Sequence, residues 1–292
     1  MENKKGELDI NGFKLNYLIE GEGPLVLCIG STLFYPRVFS NELREKLQFV
    51  FIDHCGFVSP PDRNVLNSEF SLDNLIRHIE IIRAELRLDK FFILGHSGHA
   101  FMALEYAKKY SQHILGTIMI AVSPDYSEKS HSLIDIFFKE SASEIRQLYY
   151  SNAMSELPAR IEKSPLKRFV HFCLCSGARN WYKHDFDARH LWEGIETNMQ
   201  MIDYVWGTIF RDIDITKKLN AYTIPTILML GKYDYVTGPA SLWDETKSSF
   251  KNLELVLFEE SGHYPMFEQS TLFNDALITW IEKTNTRKQN SL

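Results

Sequence analysis

Lys90-Phe91-Phe92-Ile93-Leu94-Gly95-His96-Ser97-Gly98-His99-Ala100 is the stretch that decides how this chain folds. A short apolar run enters a glycine-flanked serine, and the helical pattern Phe101-Met102-Ala103-Leu104-Glu105-Tyr106-Ala107 follows at once. A serine held on such a strand-to-helix turn has its hydroxyl lifted clear of the sheet, with the next amide directed at whatever the oxygen attacks. Ser97 is thus the candidate nucleophile, with a plain helix amino-cap as the duller alternative.

A hydroxyl attacks only when a base takes its proton, and in this geometry the chain order is serine, carboxylate, histidine. Pro225-Thr226-Ile227-Leu228-Met229-Leu230-Gly231-Lys232-Tyr233-Asp234 reads as a buried strand ending in a glycine turn that carries an acid. Leu253-Glu254-Leu255-Val256-Leu257-Phe258 reads as another strand, and Ser261-Gly262-His263-Tyr264-Pro265 is the loop after it. Ser97, Asp234 and His263 then all sit just past the carboxyl ends of strands, where open α/β sheets place their sites. Asp234 could instead cap a helix beginning near Ala240, and His263 could be an ordinary loop histidine.

These motifs resemble the serine, acid and histidine motifs of the α/β-hydrolase superfamily, and the resemblance extends over nearly the whole chain. Leu25-Val26-Leu27-Cys28-Ile29-Gly30-Ser31 is similar to the strand and oxyanion turn that usually reads His-Gly. Phe49-Val50-Phe51-Ile52-Asp53-His54-Cys55-Gly56 resembles the next strand and its Asp-x-Arg-Gly loop. Within the superfamily, residues 192–237 look most like the branch containing the proline iminopeptidases. The resemblance implies a mostly parallel central sheet flanked by helices, with an all-helical cap forming the roof of the pocket.

Strand and helix patterns alternate along the chain in keeping with that expectation. Leu8 to Tyr17 alternates around Asn11-Gly12, the strongest short-range hairpin signal. Strands are expected near 25–29, 48–53, 90–95 and 115–122, and helices near 37–47, 71–86 and from 98. Continuous apolar strands joined in this way argue for a parallel sheet buried on both faces. After Ser123-Pro124 no convincing strand follows until Ile224-Pro225, while Leu191, Ile195, Met199, Ile202 and Trp206 recur at helical spacing. The expected organisation is a core first half at 1–124, a helical cap at 125–215 and a core second half at 216–292. The cap is rich in aromatics, most of which should pack together while a few line an apolar pocket.

At 292 residues and 45% hydrophobic, the chain can bury one sizeable core and an inserted subdomain. A net charge of -6 leaves no basic footprint for nucleic acid. Its four cysteines show neither a disulfide framework nor zinc spacing, and Cys173-x-Cys175 reads as helix packing. No apolar signal core and no membrane-length run is present, so a cytoplasmic protein is expected, with no membrane partner. No cofactor and no metal is implied, and the expected partner is a small-molecule or short-peptide substrate of a monomer or small homo-oligomer.

The expected chemistry is acyl transfer to water, with His263 shuttling the Ser97 proton and Asp234 holding the imidazole. The amides of Gly98 and Ser31 are the expected oxyanion donors. Two positions depart from the family pattern: His99 stands where the elbow usually has glycine, and Ile29-Gly30-Ser31 replaces His-Gly-x. His96 and His99 flank the serine without an evident proton-transfer role, and His96 reads as structural. Proline iminopeptidases need carboxylates to grip a free amino group, yet Tyr235 follows the acid where that branch can carry glutamate. Glu193, Glu196 and Asp203 are the cap carboxylates considered for that role, Glu196 and Asp203 being seven residues apart and so expected on one helix face, with Trp206 and Tyr235 as further substrate contacts. The resulting expectation is a serine hydrolase cleaving a small ester or amide, with an N-terminal proline-type aminopeptidase as one form of it. A carboxylesterase or carbon–carbon bond hydrolase with the same triad is the first alternative, and a ligand-binding protein with negligible turnover the second.

Overall fold

In the computed structural model, which describes residues 4–289, Asn11 and Gly12 take φ of 56° and 84°. They join the antiparallel strands β1 (Lys4–Ile10) and β2 (Phe13–Glu20). Positive φ at both central residues is the turn whose twist matches the flanking strands. Six further strands follow: β3 (Leu25–Gly30), β4 (Gln48–Asp53), β5 (Phe91–His96), β6 (Ile114–Ile120), β7 (Thr226–Gly231) and β8 (Leu253–Phe258). They form one sheet in the order β1-β2-β4-β3-β5-β6-β7-β8, antiparallel at β1–β2 and β2–β4 and parallel elsewhere.

The continuous apolar runs are explained by burial on both faces, because successive side chains on a strand point to opposite sides. Leu27, Ile29, Val50, Ile52 and Ile93 pack with Leu75, Ile76, Ile79 and Ile82 of the helix Leu72–Glu85 and with Phe101 and Leu104 of the helix Gly98–Lys109. Their neighbours Val26, Cys28, Phe49, Phe51, Phe92 and Leu94 pack on the opposite side with Phe273, Leu277, Trp280 and Ile281 of the helix Ser270–Gln289. A one-residue slip of any central strand would exchange these two sets, so the register is strongly specified.

Between β6 and β7 the described residues contain helices and loops but no strand, including the helices Glu128–Ser141, Glu144–Lys163, Arg168–Cys175 and Met199–Tyr204. One expected helix is corrected here. Leu191 closes a single 3-10 turn, Gly194 has φ of 74°, and Asn198 caps a new helix by accepting the Met201 amide at 3.3 Å. Glycine in the left-handed region and an asparagine cap together break the 191–206 periodicity into separate pieces. The helix expected near 37–47 is likewise two short turns, Tyr35–Val38 and Asn41–Arg44. Among the described residues no helix is long and apolar enough to cross a membrane.

Candidate active site

Four loops leaving the carboxyl ends of β3, β5, β7 and β8 converge, and each contributes one part of the site. After β5, Ser97 adopts φ 55° and ψ -133°, a conformation that L residues avoid and that costs about 1–3 kcal/mol. The surrounding structure enforces it: the Ser97 amide donates to the Ile120 carbonyl of neighbouring β6 at 2.8 Å, and the helix Gly98–Lys109 begins at the next residue. Gly95 is required because a Cβ there would collide with the His99 carbonyl, so strand and helix approach closely at this point. The result leaves Ser97 half-exposed while His96 and Gly98 beside it are buried.

Asp234 and His263 come together. Imidazole Nδ1 lies 2.8 Å from Asp234 Oδ2, and the two residues are 4% and 1% exposed. Asp234 does not cap a distant helix; it binds its own turn, accepting the Val236 and Thr237 amides on Oδ1 at 2.8 and 3.0 Å and the Thr237 hydroxyl on Oδ2 at 2.6 Å. Burial pushes its carboxyl up, but the His263 imidazole and the Thr237 donors outweigh that and hold it below the ordinary value. The carboxylate stays ionised and fixes the His263 proton on Nδ1, leaving Nε2 free to accept. The His263 amide in turn donates to the Asn180 carbonyl at 2.6 Å. Among the described residues no hydrogen bond joins Ser97 to His263, although both line one cavity; such bonds are often long in unliganded sites and tighten in the reacting complex.

The amides of Ser31 and Gly98 donate to no protein acceptor among the described residues. Ser31 Oγ is turned inward, accepting from the Leu33 and Phe34 amides at 3.2 and 3.1 Å. Asp53 braces the same turn, taking the Thr32 amide at 2.7 Å and the Asn16 side chain at 2.8 Å. Burial raises its carboxyl above the ordinary value against those bonds. Gly98 is dictated by the cap, since a Cβ there would lie 2.8 Å from Phe210 Cε2 and 2.9 Å from Trp206 Nε1.

The cavity has a volume of about 280 Å³, and its walls are mainly aromatic. Trp206 and Tyr235 line it, as do Phe169, Trp192 and Tyr150. Glu196 and Asp203 do not: Glu196 is exposed and accepts the Ser59 hydroxyl at 2.6 Å, and Asp203 is paired with Arg168. The helix break at Asn198 separates them, so the shared face assumed from their spacing does not form. The carboxylate that does line the cavity is Asp135, which receives Arg179 Nη1 at 2.7 Å. Arg179 is itself stacked on Phe138 and Tyr150, 4.4 and 4.8 Å from their centroids. Tyr126, also missed from sequence, reaches the Ser97 side chain and is held protonated by burial, with its phenol pushed up to about 12. Neither Asp135 nor Tyr126 carries a local pattern that marks it, because fold contacts alone bring them to the serine.

An alpha/beta hydrolase fold family model matches residues 27–270. The chain is 40% identical over 273 residues to AB hydrolase superfamily protein YclE of Bacillus subtilis, covering 94% of this chain and 97% of that one. It is 27% identical to a proline iminopeptidase of Flavobacterium johnsoniae, covering 85% and 84% of the two chains. An alpha/beta fold family hydrolase from Bacillus anthracis superposes with a TM-score of 0.69 at 22% identity, over 97% of this chain and 99% of that one. Elbow, sheet order and sequence similarity agree: the chain belongs to the α/β-hydrolase fold family.

Proposed function

We propose that this protein is a serine hydrolase that transfers a small, largely apolar acyl group to water. The supporting observation is the half-exposed, strained Ser97 in the cavity that also receives His263, whose Nδ1 is held by a buried, ionised Asp234 at 2.8 Å. In this reading His263 Nε2 takes the Ser97 proton as Oγ attacks the carbonyl, and then returns it to the leaving group. The Ser31 and Gly98 amides receive the developing oxyanion, the second of them at a helix amino terminus whose dipole adds to the effect. Water then repeats the sequence on the acyl-enzyme, with the same base.

The cavity's size and aromatic walls favour a short apolar acyl group. Its one lining carboxylate among the described residues, Asp135, is already neutralised by Arg179, which weighs against recognition of a free ammonium group. An N-terminal prolyl peptidase is the second reading, favoured by the similarity to proline iminopeptidases. A panel of short-chain p-nitrophenyl esters and proline arylamides separates the two. Ester cleavage that disappears in Ser97→Ala is the expected result. Preferential arylamide cleavage would move the assignment to the peptidase, and turnover of neither class would count against both.

A further inference from the structure

Beside the triad, three histidines and a tyrosine form a buried chain whose hydrogen-bond directions are forced from both ends. The Gly56 amide donates to His54 Nδ1 at 2.9 Å, so that nitrogen is bare and the ring proton sits on Nε2. His54 Nε2 faces His99 Nε2 at 2.7 Å, so His99 accepts there and keeps its own proton on Nδ1. His99 Nδ1 lies 2.8 Å from the Tyr35 hydroxyl, which accepts and gives its proton to His96 Nδ1 at 3.3 Å. His96 is left with Nε2–H, which donates to the backbone carbonyl of His263 at 2.8 Å. Starting from that carbonyl, which can only accept, the same protons are obtained in reverse. An added proton on His54 or His99 would set two donors against each other, and one on His96 would remove the acceptor that takes the Tyr35 proton. Burial first, and neighbouring histidines after it, hold His54 and His96 down to about 3 and His99 well below its ordinary value.

The ends of this chain lie at the working parts of the site. His96 holds the carbonyl side of His263, whose amide side is already held by Asn180. The Tyr35 amide donates to the Ser31 carbonyl at 3.2 Å, which ties the middle of the chain to the oxyanion turn. At the far end the Gly56 carbonyl accepts the amide of Asn198 at 2.9 Å, the residue that caps the helix leading to Trp206 above Gly98. An apolar filling would pack this space without direction, whereas a fully satisfied polar network permits one arrangement.

The geometry points to His54, His99, Tyr35 and His96 as positioning residues that lock the His263 loop, the Ser31 turn and the 198–206 cap segment into one register through a single set of imidazole tautomers. The catalytic consequence rests on the serine-hydrolase reading, whereas the tautomer pattern stands apart from it. Long-range proton–nitrogen spectra of the 15N-labelled full chain at pH 7 should show neutral His54 and His96 protonated on Nε2 and neutral His99 protonated on Nδ1. A different tautomer or a cationic ring at any of the three overturns the assignment. Tyr35→Phe keeps the ring and removes the central hydroxyl, and it should slow fluorophosphonate labelling of Ser97 by roughly tenfold or more. It should also lower kcat on an activated ester more than it changes KM, with a cooperative thermal transition retained. Labelling at the wild-type rate overturns the positioning role. If that variant does not fold, the wild-type tautomers still decide, and a wild-type Ser97 that takes no label at all overturns the hydrolase reading instead.

Discussion

In the proposed mechanism Ser97, Asp234 and His263 each carry one function that a neighbouring residue type cannot supply. Ser97→Ala removes the attacking oxygen and should reduce kcat on an activated ester on the order of a million-fold, with the fold intact by circular dichroism. Asp234→Asn replaces an oxygen that binds both His263 Nδ1 and the Thr237 hydroxyl, so the imidazole loses its enforced tautomer. A loss of about ten-thousand-fold in kcat at neutral pH is expected. At this scale the triad candidates were legible because each follows a strand-like run and a glycine in the proper chain order. The histidine chain was not, since His54 and His99 meet across 45 residues and Tyr35 and His99 across 64, and complementarity of tautomers leaves no periodic trace.

Among the elements, strands and long helices were readable from apolar runs and 3.6-residue periodicity, and the Asn11-Gly12 hairpin from its turn chemistry. The cap segment was not, because its apolar residues keep helical spacing across a real break at Gly194 and Asn198. That break is what brings Trp206 over the residue following Ser97, and the contact makes a testable demand on Gly98. Gly98→Ala inserts a methyl group within 2.9 Å of the indole, so helix and cap segment must separate. Overpacking of this kind costs about 1–3 kcal/mol, and it should appear as a lowered thermal midpoint together with reduced kcat. An unchanged midpoint would mean that the cap yields freely at that contact.

Across the whole molecule, the buried neutral histidines make stability depend on pH with a definite sign. His54 and His96 have folded-state values of about 3 against 6.5 ordinarily, so the unfolded chain binds their protons first as the pH falls. Their contribution is therefore complete above pH 6.5 and is lost progressively toward about pH 3, at about 1.4 kcal/mol per pH unit for each ring. Urea unfolding at pH 7, 6, 5 and 4 should show that slope, and His54→Gln should reduce it by about one proton. The mostly parallel sheet was readable from its continuous apolar strands and the family from its serine, acid and histidine motifs, whereas the strand order and the cavity's Asp135–Arg179 pair arise from packing of segments distant in the chain. The central claim is that this architecture activates one serine. Mass-spectrometric mapping of the folded protein after fluorophosphonate treatment tests it most directly: a single adduct on Ser97, lost in His263→Ala, is the expected result, and an unmodified Ser97 or labelling that persists without His263 would contradict it.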